Sequence, residues 1–200
     1  YLIGEKDKKI LRVGKRLPIE DVQFECEIFQ HLSKNNFPIP GWIKTKDGNF
    51  YASAGGVEVA VMFEFLEGYH AHIDKDNLPT KEQAFTAGRV LGYLHEIGKT
   101  FKPSSSRSRN IFTELERILQ NEEIFKKDFE GGEIFIEQVK NAVKFGQESK
   151  FTMGLIHNDY RSGNVFFEND TKVGGVIDFD WSCVGPTIKD VALGVLEWSF

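Results

Sequence analysis

Cysteine is nearly missing from these 200 residues: Cys26 and Cys183 stand far apart, and no CxxC spacing occurs. That excludes a disulfide framework and a thiolate zinc site, and it suits a reducing, cytoplasmic compartment. Positive charge is also in deficit, with 25 lysines and arginines against 30 aspartates and glutamates, so no nucleic-acid-binding surface is expected. No apolar run approaches the roughly 20 residues that cross a bilayer, and no signal-peptide pattern opens the chain, so no membrane partner is expected. His31, His70, His72 and His95 lack the spacing of a zinc or iron ligand set. Internal repeats are absent. What is present is a hydrophobic content of 40%, enough for a real core in one large domain or two small lobes. The chain opens in strand-like sequence at Tyr1 and stops in helix-like sequence at Phe200, which reads as the core segment of a longer protein.

The order of patterns along the chain points to two lobes. Residues 1–13 read as a hairpin around the charged "EKDK" bend. Pro18, Glu20 and Asp21 signal a helix start, and Val22, Cys26, Phe29 and Leu32 recur at helical spacing to about Ser33. "NNFPIPG" breaks that helix, and residues 41–66 alternate as further strands around a "KDG" turn. Beyond Gly68 the texture is helical. Thr80 and Gln83 form a capping box, and Ala84, Ala87, Leu91 and Leu94 give one buried stripe. A polar loop, "KPSSSRSRN", precedes amphipathic stretches at about 111–127 and 133–147. A short strand, a polar loop, a second hairpin and a last helix near Asp190 follow. The expected fold is α+β and two-lobed, with a β-rich N-lobe over 1–66 and a mainly helical C-lobe over 67–200. A cleft between such lobes is where ligands bind.

The stretch "LIHNDYRSGNVFF" (155–167) sets His157, Asp159, Arg161 and Asn164 between two apolar patches. Its form is H-x-D-x-x-x-x-N, and a hydrophobic strand then delivers Asp178 in "VIDFDW". Phosphoryl transfer needs metal ions against the phosphates and a carboxylate to take the proton of the attacking hydroxyl. Magnesium prefers oxygen donors and keeps its waters, so one carboxylate and one amide oxygen suit it. On this pattern Asp159 is the candidate base, and Asn164 and Asp178 are candidate metal ligands. The bland alternative is that Asp159 and Asn164 only stabilise a turn. A protein kinase is disfavoured, because "DFD" stands where D-F-G belongs and "GPTIKD" leaves no room for an activation loop.

These residues carry a resemblance. "LIHNDYRSGNVFF" with "GGVIDFDWSCVGPTIKDVA" resembles the aminoglycoside phosphotransferase and choline kinase superfamily, whose members share the protein-kinase-like fold. "LGYLHEIG" and "FECEIFQHLSKNNFPIP" resemble its pre-catalytic helix and its N-lobe helix. The resemblance implies an ATP-dependent kinase of a small-molecule hydroxyl, with Mg2+ as the metal. It also implies that Arg12 contacts the nucleotide phosphates and that Glu25 on the N-lobe helix pairs with it. Glu27 is the rival partner, about 200° around the same helix. "MFEFLEG" resembles the hinge, where the backbone near Glu64 and Phe65 would hold adenine and Met62 or Phe63 would pack beside it. Asp190 would brace the catalytic loop from behind, although plain helix capping explains an aspartate there as well. Arg161 would face the transferring phosphoryl group or an anionic substrate, with a solvated arginine as the alternative.

The acceptor is less constrained. Glutamates 114, 116, 122, 123, 130, 133 and 137 would suit a cationic acceptor, though solvated helix faces explain most of them. Trp181 and Trp198 would cage a quaternary amine or simply pack in the core. Aminoglycoside-, choline- and homoserine-like acceptors all fit. The rival function is a nucleotide-binding pseudokinase or scaffold, against which the intact Asp159, Asn164 and Asp178 count.

Overall fold

The computed structural model describes residues 1–15, 18–54, 58–71, 78–128 and 130–198. His72, considered above as a ligand, lies outside them. The N-lobe is an antiparallel sheet with strand order β1 (Leu2–Ile3), β2 (Lys9–Lys15), β5 (Glu58–Glu64), β3 (Trp42–Ile43), and β4 (Ala52–Ala54) pairs with the upper part of β5. Arg12 stands opposite Val61 and Ile10 opposite Phe63. Because side chains alternate along a strand, these four share one face. That face receives α1 (Ile19–Lys34), which buries Val22, Phe24, Glu25, Cys26, Ile28, Phe29 and Leu32. The stripe is wider than the spacing of four apolar residues suggested.

Past Glu64 the chain leaves the sheet and crosses to the C-lobe, where β6 (Tyr69–His70) pairs with β8 (Val165–Asn169), itself paired with β9 (Lys172–Val176). The crossing requires Gly68, whose φ is +135° and whose missing Cβ would lie 2.5 Å from the Phe167 carbonyl oxygen. α2 (Lys81–Gly98) starts at the expected capping box, with Thr80 and Gln83 each bonding the other's backbone N–H. The stretch expected as one helix from 111 to 127 is two, α3 (Ile111–Gln120) and α4 (Glu122–Asp128). Between them Asn121 turns its side-chain amide onto the Arg117 carbonyl, a local bond that competes with helix propagation. α5 (Gly132–Glu148) follows, then β7 (Met153–Ile156), β10 (Cys183–Pro186) and α6 (Thr187–Trp198).

β6 and β10 were not anticipated from sequence. β10 pairs antiparallel with β7 from Cys183–Ile156 to Pro186–Met153. Two four-residue strands some thirty residues apart, one ending Gly-Pro, leave no periodic signal. Both lobes share one hydrophobic core running from Val61 and Phe63 through α1 to Leu94, Leu155 and Val176. Phe29 meets Phe179 edge-on at 5.4 Å, and Phe24 meets Phe101 at 5.7 Å, so α1 packs against both lobes.

Candidate active site

The loop at 157–164 is held from behind before it can present anything forwards. Buried Leu155 and Ile156 end β7 and place His157 wholly inside the protein. The backbone N–H groups of His157 and Asn158 both donate to the Asp190 carboxylate at 2.7 Å. Asp190 is buried in the first turn of α6 and also meets His95 Nε2 at 3.1 Å. It sits inside the helix and bonds the loop, so bracing accounts for it and capping does not. His157 Nε2 donates to the Ile177 carbonyl (2.9 Å), while Nδ1 accepts the Asp159 N–H (3.3 Å). One nitrogen donating and one accepting define a neutral imidazole. Burial pushes its pKa below the ordinary histidine value, against the pull of Asp190.

Forward of this anchor, Asn164 Nδ2 donates to both the carbonyl and the Oδ2 of Asp159, each at 2.9 Å. The amide nitrogen is thus committed to Asp159, and Oδ1 is the atom of this buried side chain that can act as an acceptor. Arg161 Nε lies 3.3 Å from Asp159 Oδ2, and its side chain is 54% exposed. Asn164 also ties this loop to the next: its carbonyl accepts the Ile177 N–H at 3.0 Å, extending the β8–β9 ladder by one rung. Asp178 follows directly with φ 66° and ψ 61°, a left-handed conformation that Asp tolerates better than most residues. Phe179, fully buried against His157 (4.6 Å between rings), fixes the chain just after it.

Burial raises the Asp178 pKa above the usual carboxylate value, and Asp180 and Asp159 push it the same way, while the Arg12 cation opposes. Such a carboxylate gains from a nearby cation. Among the described residues no three His, Cys, Asp or Glu side chains cluster as a complete metal cage. Asn164 and Asp178 offer an all-oxygen, incomplete set, which fits a hard cation that keeps water and ligand oxygens.

Across from Asp178, Arg12 reaches in from β2. Its Nη1 is 3.0 Å from one Glu25 oxygen, its Nη2 bonds the other, and Nη1 also bonds Asp180. Burial works against the guanidinium charge, but Glu25, Asp180 and Asp178 overcome it and raise its pKa. Glu25 is the partner and Glu27 is not: Glu27 turns outward and accepts from Ser104 and Ser105. A cleft of about 520 Å³ runs from these charges to an apolar end at Ile10, Phe63, Phe65 and Phe166. Glu64, Phe65 and Asp178 also line it, and Met62 does not. Of the two residues expected to pack beside adenine, Phe63 is the one that lines it. A larger open groove of about 1190 Å³ on the far side of α1 contains none of the expected site residues.

Asp180 is the site residue that sequence reading passed over; the second acid of "DFD" was its only signal. The glutamates of the helical insert are not buried, and Glu114, Glu122 and Glu123 pair with Arg117, Lys126 and Lys140. Trp198 packs against Tyr160 and Phe167, and the Arg109 cation lies over Trp181 (4.8 Å), so these two indoles do not make a shared cage.

Two lobes, a charged cleft between them and a braced H-x-D-x-x-x-x-N loop define the protein-kinase-like fold of small-molecule kinases. Solved structures agree on the fold. The amicoumacin kinase hAmiN, in complex with AMP-PNP, Ca2+ and Ami, superposes with a TM-score of 0.75 at 16% identity, covering 100% of this chain and 61% of that one. A thermostable mutant of the aminoglycoside phosphotransferase APH(4)-Ia gives 0.70 at 12% identity, over 93% of this chain and 64% of that one. The chain belongs to the phosphotransferase enzyme family (APH), whose model matches residues 1–200. It is also similar to the homoserine kinase of Bartonella tribocorum, 28% identical over 192 residues, which cover 93% of this chain and 56% of that protein. The chain thus spans little more than half the length of that relative.

Proposed function

We propose that this chain is the core of an ATP-dependent O-phosphotransferase that moves the γ-phosphate to a hydroxyl of a small molecule. The observation that carries the reading is the convergence of Asp159, Asn164 and Asp178 on one braced unit facing the Arg12–Glu25 pair across a cleft. Residues 1–66 cover the nucleotide; residues 67–200 supply the catalytic loop, the metal ligands and part of the acceptor pocket. Adenine lies at the apolar end, against Phe63 and the backbone of Glu64 and Phe65. Arg12, kept charged by its carboxylates, meets the phosphates. Asn164 Oδ1 and Asp178 would hold Mg2+, which would neutralise phosphate charge when bound. Asp159, oriented by Asn164, takes the proton of the acceptor hydroxyl. Arg161, mostly exposed and held by Asp159, swings to the transferring phosphoryl group or to an anionic part of the acceptor.

The paired, solvated glutamates give no support to a cationic acceptor, and the homoserine kinase and amicoumacin kinase relatives make hydroxy amino acids and hydroxylated antibiotics the first acceptors to try. The test is a coupled ADP assay on the full-length protein across aminoglycoside, choline and homoserine-like alcohols. Asp159→Ala should lower kcat by about 10²–10⁴-fold while nucleotide affinity persists. A protein that binds ATP but transfers phosphate to none of these is the pseudokinase alternative. Unchanged turnover in Arg161→Ala would remove the role given to that residue.

A further inference from the structure

We propose that Arg107, on the polar connection between α2 and α3, is a positioning residue that locks α1, and with it Glu25, to the turn carrying Asp178 and Asp180. Its guanidinium makes three bonds to backbone carbonyls on two elements. Nε donates to Ser182 (2.9 Å) and Nη2 to Phe179 (3.1 Å), the two ends of the short turn after Asp178. Nη1 donates to the carbonyl of Asp21 in the first turn of α1 (3.3 Å), and the cation lies 5.1 Å from the Phe24 ring. A planar fork of five donors can bridge three carbonyls in this way, and lysine cannot.

The same connection grips α1 twice more. Ser108 donates its N–H (2.8 Å) and its hydroxyl (2.7 Å) to the Asp21 carboxylate. Ser104 donates its N–H and hydroxyl to Glu27, both at 2.7 Å, and Ser105 N–H adds a third bond at 3.1 Å. Asp21 lies one helical turn before Glu25 and Glu27 two residues after it, so the strap brackets the residue that aims Arg12. Between strap and site is a small cavity of about 210 Å³ bounded by Glu25, Arg107, Asp180 and Trp181. Elsewhere α1 meets the C-lobe near its far end, where His31 Nε2 donates to the Ile97 carbonyl (2.9 Å) and Tyr93 OH to the Asn35 carbonyl, and through apolar packing, which tolerates sliding. The directional bonds of Arg107 do not.

The kinetic consequence rests on the phosphotransfer reading; the structural one does not. In the full-length protein, Arg107→Ala should raise KM for ATP by about 10-fold or more, as loss of an outer support typically does. KM for the acceptor should stay within about twofold, and methylguanidinium, which the adjoining cavity admits, should restore much of the ATP affinity. Amide exchange across residues 19–34 should accelerate. A purely structural residue would lower the amount of active protein without moving KM for ATP and without rescue. Unchanged KM for ATP and unchanged exchange in α1 overturn the proposal. If Arg107→Ala does not fold, Arg107→Lys keeps the charge but cannot bridge the three carbonyls, and unchanged KM for ATP with unchanged exchange across residues 19–34 in that variant overturns the proposal equally. Absence of phosphotransfer in the wild-type protein sinks the functional reading instead, and the exchange measurement still decides the strap.

Discussion

His157 sits two residues before the proposed base and yet is wholly enclosed, donating to Ile177 and accepting from Asp159. In the unfolded chain it titrates at about 6.5, whereas burial lowers its pKa in the fold, against Asp190, Asp159 and Asp178. Above the unfolded value both states leave it neutral, and this residue makes folding indifferent to pH. Below that value the unfolded chain binds a proton that the folded protein refuses, so stability falls on acidification. Its share of the slope approaches about 1.4 kcal/mol per pH unit. Urea midpoints taken from pH 7.5 down to 5 should therefore decline more steeply for wild type than for His157→Gln, which keeps a donor but cannot titrate. Parallel declines would contradict the neutral, enclosed histidine. At the same scale the choice between Glu25 and Glu27 was open from spacing alone. It closed because one points at Arg12 and the other at the backbone of Ser104.

Among the elements, the crossing from β5 to β6 depends on a single residue. Gly68 combines φ +135° with a contact that leaves no room for a methyl group, because the Phe167 carbonyl stands in its place. Gly68→Ala should cost about 1–3 kcal/mol, measured as a lower denaturant midpoint with an unchanged m-value. It should also loosen β6 from β8, since Tyr69 pairs with Phe167 directly beyond the glycine. Long elements with a strong period, α1, α2 and α5, were legible in the sequence. The break at Asn121 was less so, because a side-chain-to-backbone bond interrupts an otherwise continuous amphipathic pattern. β6 and β10 have two and four residues and take their identity entirely from partners distant in the chain.

For the molecule as a whole, the shared core holds the lobes together, while the cleft buries Glu25 and leaves Arg12 and Asp180 partly exposed. Filling that cleft should stabilise both lobes at once. ATP with Mg2+ at about 100 times its Kd would add about 2.7 kcal/mol to unfolding, visible as a rise in Tm. Asp178→Asn should abolish the metal-dependent part of this rise. Without ligand its Tm should equal or exceed that of wild type, because the raised pKa of Asp178 means that its charge is unfavourable where it stands. A metal-dependent rise that survives in Asp178→Asn would place the metal elsewhere.

Local chemistry was written in the order of residues: the H-x-D-x-x-x-x-N run, the "VIDFD" strand end, the capping box at Thr80 and the apolar stripe of α1. Each works over a few residues through periodicity or a fixed offset, so one chain suffices to read it. Folding settled what depends on approach between distant segments. It brought Asp180 to Arg12, set Phe63 rather than Met62 along the cleft, made Asp190 a brace, and drew "SSSRSR" across α1. These are matters of direction and proximity, set by the packing of one shared core. No residue's own neighbours in the chain encode them.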